Sequence, residues 1–128
     1  MDKKLEKALE RFDASYMSNA KWEKLLTRLT CESDEIFFSY KLVYGEEIRQ
    51  SSIDLPDDAP FFIEPIIYKE VEWIDFPSIY EDFVSHNNLK AGKKAYHQDI
   101  DRIEQIIHSL GQFLLERSDG SLKLYAYR

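Results

Sequence analysis

Between residues 22 and 44 the spacing of apolar side chains changes period. Trp22, Leu25, Leu26 and Leu29 fall at i, i+3, i+4 and i+7, whereas Ile36, Phe38, Tyr40, Leu42 and Tyr44 recur at every second position. The first spacing gathers one stripe on a helix and the second gathers one face on a strand. A helix with a single apolar stripe has to lie on another apolar surface, and the strand face that follows is the one at hand. The chain is therefore expected to lay helices on one face of a sheet.

The other segments extend that plan. Leu5, Ala8, Leu9 and Phe12 repeat the helical spacing, so two short helices open the chain, the second with Ser18 as its N-cap. After the aromatic strand EIFFSYKLVYG, the run EEIRQSSIDL reads as its hairpin partner, and Pro56, Asp57, Asp58 and Pro60 as a loop. FFIEPIIYKE and VEWIDF read as two further strands, with Pro65 driving the first to an edge or a bulge. In VEWIDF, strict alternation puts Glu72 and Ile74 on one face and Val71, Trp73 and Asp75 on the other.

FPSIYEDFVSHN reads as a short helix with Pro77 in its first turn, and residues 87–94 as a polar connection. Asp99 caps a helix striped by Ile100, Ile103, Ile106, Ile107 and Leu110 and stopped at Gly111. Asp119-Gly120 between two alternating runs signals a closing hairpin. The expectation is one α+β domain over residues 1–128. It has a mainly antiparallel sheet of five or six strands, two helices before it and one or two after the fourth strand.

Charge separates the chain into thirds. Residues 46–82 carry 11 acidic and 2 basic side chains, while residues 1–45 balance at 8 and 8 and residues 83–128 hold 5 and 7. The middle third thus supplies the net charge of −7. Phosphate backbones are bound through Lys and Arg, so this field argues against nucleic acid and in favour of a basic protein partner. The aromatics Tyr68, Trp73, Phe76 and Tyr80 are interleaved with these acids, and aromatic anchors rimmed by charge are what protein-binding hot spots are made of.

Other chemistries find little support. The three histidines, His86, His97 and His108, lack metal-ligand spacing, and Asp99 and Asp101 beside His97 sit where a helix start uses acids for capping. A metal-dependent hydrolase built on His97, Asp99 and Asp101 stands as the outlying alternative, and no metal or cofactor is expected. Four unclustered glycines form no phosphate loop. The lone Cys31, without a thiol to pair with, reads as a small apolar filler at a helix-to-strand junction in a reducing compartment. The opening residues MDKKLEKALERF lack a signal-peptide run, no segment is apolar over a membrane's width, and the expected location is the cytoplasm. Paired carboxylates are frequent in the acidic third by chance alone, so no enzyme is expected.

KWEKLL (Lys21 to Leu26), KEVEWIDF (Lys69 to Phe76) and SDGSLKLYAYR (Ser118 to Arg128) resemble a group of small bacterial single-domain proteins. In size, acidity and α+β make-up the chain also resembles immunity proteins of bacterial toxin systems, contact-dependent growth inhibition among them. That resemblance implies stoichiometric neutralisation of a cognate toxin domain, basic and of nuclease type, with no turnover. The contacts expected on this reading are Asp57, Asp58, Glu70, Glu72, Trp73 and Asp75, with Glu46, Glu47, Glu81 and Asp82 as steering charges. The alternative from another class is a small acidic adaptor for an endogenous basic partner.

Overall fold

A computed structural model of the chain describes residues 3–32, 36–53, 68–83 and 89–128. Its elements run α1 (Lys3–Leu9), α2 (Asn19–Glu32), β1 (Ile36–Leu42), β2 (Ile48–Ile53), β3 (Val71–Pro77), β4 (Ile79–Phe83), β5 (Lys93–His97), α3 (Ile100–Leu110), β6 (Leu114–Arg117) and β7 (Ser121–Tyr125). Single 3-10 turns lie at Tyr68–Glu70 and Leu89–Ala91. The strands form a five-stranded antiparallel sheet in the order β2-β1-β3-β7-β6 and a separate two-stranded sheet of β4 and β5. This is an α+β fold.

The change of period does what its geometry requires. Trp22, Leu25, Leu26 and Leu29 of α2 and Ile100, Ile103, Ile106 and Ile107 of α3 are all buried. They share one core with Ile36, Phe38, Tyr40 and Leu42 of β1 and with Ile74, Phe76, Leu122 and Leu124 from the middle of the sheet. The Ser18 side chain accepts the Lys21 amide at 3.2 Å at the start of α2. Asp99 accepts the Arg102 amide at 3.0 Å at the start of α3. Because Asp99 is exposed and its one structural task is that cap, Asp99→Ala is expected to cost about 1 kcal/mol in a urea unfolding titration, with the fold retained.

Several expectations need correction. The segment read as a helix from Phe76 to Asn87 is instead strand over its described part, the end of β3 and β4, and its partner β5 begins in the last two residues, Lys93 and Lys94, of what was read as a polar connection. The cause is non-local: Tyr80 stacks on Phe37 with ring centroids 4.2 Å apart and planes 2° from parallel, and Tyr96 stacks on Tyr80 at 5.6 Å. The strand expected at FFIEPIIYKE falls on residues 61–67, outside the described residues, and on the turn Tyr68–Glu70. Cys31 is exposed rather than filling the core.

Strict alternation fails in two strands. In β3 the pairing with β1 slips between Trp73↔Lys41 and Val71↔Leu42, so Glu72 is an extra residue, a bulge. Val71 therefore joins Ile74 and Phe76 in the core, and Glu72 parts from Ile74. The Glu72 carbonyl accepts two amides, from Ala126 at 2.8 Å and Tyr127 at 3.2 Å, which satisfies the bulged backbone. In β1 both faces are closed, Phe37 and Lys41 being buried as well as the core-facing positions.

Candidate functional site

The sheet face turned away from α2 and α3 carries two of the residues singled out above, Trp73 and Asp75, whereas Phe76 is in the core and Tyr68 stacks on Trp22 of α2. Register places Trp73 opposite Tyr125 and Asp75 opposite Lys123. Alternation brings these four side chains to one face because their neighbours Ile74, Leu122 and Leu124 fill the core. The Lys123 ammonium lies 4.2 Å from the centre of the Trp73 ring and 5.8 Å from that of Tyr125, and the Arg128 guanidinium lies 4.6 Å from the centre of the Tyr125 ring. Cations and π faces thus alternate along β3 and β7. The Tyr125 hydroxyl donates to Glu116 at 3.2 Å, and burial, with Glu116 adding to it, holds that phenol above its ordinary pKa.

Asp75 is the unusual member. Its Oδ1 is enclosed and has no hydrogen-bond partner among the described residues. Burial raises its carboxyl above the ordinary value, against the opposing pull of the Ser121 hydrogen bond and the Lys123 charge. An acid whose folded pKa exceeds its unfolded one favours the fold most when protonated in both states, and that contribution is lost as pH rises through the folded value. Asp75→Asn is therefore expected to raise the melting temperature at neutral pH, with the gain shrinking towards acid pH. Thermal melts of both proteins across a pH series check this, and a gain independent of pH contradicts it.

Glu72 has a different role from Asp75. Its Oε1 receives both the Lys41 ammonium at 2.7 Å and the Arg11 guanidinium at 2.8 Å. Lys41 also donates to the Leu42 carbonyl at 3.1 Å, and Arg11 to the Val43 carbonyl at 2.9 Å. Arg11 belongs to the link between α1 and α2, which runs antiparallel to the chain end: Tyr16 donates to Ala126, and Asp13 and Ala14 donate to Arg128. Glu72 therefore ties that link to β1 and β3.

The remaining acids divide between the ends of the sheet. Glu46 and Glu47 stand exposed between β1 and β2, Glu47 being 3.6 Å from Arg49. Glu70 is at the same end, since its carbonyl accepts the Val43 amide at 2.8 Å. Glu81 is exposed on β4, beyond the opposite end of β3. Asp82 is on β4 opposite Lys94, with its side chain outside the described residues, as are Asp57 and Asp58. Trp73, Asp75 and Glu72 are thus close together, Glu46, Glu47 and Glu70 are at one end, and Glu81 is apart.

Sequence reasoning missed the basic and aromatic partners on this face. Lys41 is the single charge inside IFFSYKL, a signal that a buried cation needed an acid nearby. Lys123 and Tyr125 follow from pairing SLKLY against EWIDF in antiparallel register. Two of the trio His97, Asp99 and Asp101 are otherwise engaged: Asp99 caps α3 and Asp101 pairs with Arg117 at 2.8 Å. Among the described residues no three His, Cys, Asp or Glu side chains converge on a common point, and no helix is long and apolar enough to cross a membrane.

No curated protein and no solved structure matches the chain. One family model does, over residues 5–127, which takes in every described element but the first two residues of α1 and the final arginine. By that match the chain belongs to the family of unknown function DUF6678.

Proposed function

We propose that this protein is a stoichiometric inhibitor of the immunity type, which binds a basic toxin domain in the cytoplasm through the side of its sheet that carries Trp73 and Asp75, steered by the acids at one end of that sheet, and carries out no turnover. The observation behind this reading is the Asp75 carboxylate, held beside Trp73 with an enclosed oxygen that no described residue donates to. Each buried polar atom left without a partner costs the fold, so one retained on the half-buried Asp75, beside the buried Trp73, fits a carboxyl that turns outward to meet a donor arriving with a partner. A Lys or Arg of a basic domain is such a donor. Glu46, Glu47 and Glu70 at one end of the sheet supply the field that steers it.

Glu72 serves the reading differently, by holding Lys41 and Arg11 in place beneath that end. The test uses the partner recovered by co-purification. The combined reversal Glu46→Lys and Glu47→Lys, at two exposed positions, is expected to slow association about tenfold at low ionic strength, with the melting temperature nearly unchanged. Asp75→Asn is expected to act mainly on dissociation. An association rate equal to that of the native protein at low salt contradicts the steering role.

A further inference from the structure

A cleft of about 600 Å³ opens where α1, the link after it and the first turn of α2 meet the turn at Tyr68 and the end of β7. Its walls are mostly apolar: Leu5 and Leu9 from α1, Met17 from the link, Trp22 from α2, and Tyr68 and Tyr127. Trp22 and Tyr68 are stacked, 6.1 Å apart and 14° from parallel, with Trp22 buried behind the half-buried Tyr68 ring. The Tyr127 hydroxyl is directed away to the Lys69 carbonyl at 2.9 Å, and burial holds both phenols above their ordinary pKa, so neither adds negative charge to the walls.

The polar lining is as selective as the apolar one. Ser15, Ser18 and Asn19 offer neutral groups, and Lys69 is the one charged residue among the lining residues described. In a chain with 24 acidic side chains and net charge −7, described walls whose one charged residue is an exposed lysine differ in sign from the surface around them. Glu23 is the nearby acid, close enough for its charge to act on Tyr68, and it lies on the α2 side, so a negative group is accommodated towards Lys69. The volume is in the range of small-molecule sites, which combine apolar walls with a few polar groups.

We infer that this cleft binds a small amphipathic anion, with its apolar body against Leu9, Met17 and Tyr68 and its negative group towards Lys69. The inference is independent of the proposed partner, because the cleft is built from α1, α2 and the ends of the strands rather than from Trp73 and Asp75. It can fail or hold without touching that reading.

Two fluorescent probes of nearly the same shape test it on the full chain: anilinonaphthalene sulfonate, which is anionic, and phenylnaphthylamine, its uncharged counterpart. Both are expected to bind the folded protein saturably at one site, the anion more tightly. Ala20→Trp, an exposed position on the rim of the cleft, is expected to abolish binding of both. Lys69→Glu is expected to weaken the anion about fivefold and to leave the uncharged probe unchanged. Thermal melts of each variant establish that it is folded, and Lys69→Glu, at an exposed position, carries the test alone if Ala20→Trp is not. Absence of saturable binding overturns the inference, as does probe binding that Ala20→Trp leaves intact in a folded protein. Equal weakening of both probes by Lys69→Glu, or of neither, overturns the anionic specificity.

Discussion

Glu72→Ala is expected to destabilise the protein by about 3 to 5 kcal/mol in urea unfolding, the range for stranding a buried charge. The reason is Lys41, whose side chain is 9% exposed and whose ammonium has Glu72 as its acidic partner. Without that carboxylate the ammonium keeps the Leu42 carbonyl at 3.1 Å but loses its counter-charge in a site closed to water. Lys41→Met in the same background removes the stranded charge and is expected to restore most of the loss. Arg11→Ala, at a side chain 46% exposed, is expected to cost at most about 1 kcal/mol. A Glu72→Ala loss no larger than that of Arg11→Ala contradicts the assignment of Glu72 as the partner of a buried cation.

Gln98→Ala is expected to cost about 2 to 4 kcal/mol and to release the β4–β5 hairpin from the sheet. By register Phe37 of β1 would pair with Pro77 of β3, but proline has no amide hydrogen to donate. The Gln98 side chain fills the gap. Its Oε1 accepts the Phe37 amide at 3.1 Å, and its Nε2 donates to the carbonyls of Phe37 at 2.8 Å and Pro77 at 2.6 Å. Removing it leaves one amide and two carbonyls unpaired at a partly buried position. Gln98→Glu is expected to fare no better, because a carboxylate cannot donate to either carbonyl. Hydrogen exchange checks the second half of the expectation: amides of β4 and β5 are expected to lose protection in Gln98→Ala before those of β3 and β7. Uniform loss across both sheets contradicts it.

The parts of the fold that sequence made legible are those whose signal is local. The stripes of α2 and α3, their caps at Ser18 and Asp99, and the hairpin around Asp119-Gly120 each rest on residues within a few positions of one another. The β4–β5 hairpin was illegible because it depends on Phe37 and Gln98, separated by 61 residues in the chain. Taken alone, a proline followed by SIYEDF resembles a helix start, and stacking of Tyr80 on Phe37 overrides that preference. A bulge also leaves no mark in composition, so VEWIDF read at strict period two put Val71 with Trp73 rather than in the core.

The candidate site was half legible for the same reason. Interleaved acids and aromatics pointed to Trp73 and Asp75, which register then placed beside Lys123 and Tyr125. What could not be read was that the acids differ in circumstance. Glu72 is held by two cations, Glu46 and Glu47 are exposed, and Asp75 has an oxygen without a donor among the described residues. Those differences arise from cross-strand neighbours, and they decide which carboxylates are available to a partner and which serve the fold.

Stoichiometric binding of a basic partner is tested most directly by capturing the tagged protein from the cells that encode it, at low and at high salt, and identifying what is held. One basic protein is expected in equal amount, retained at low salt and weakened at high salt, with Asp75→Asn capturing less of it. Capture of no protein, or of one that is not basic and is indifferent to salt, contradicts that expectation.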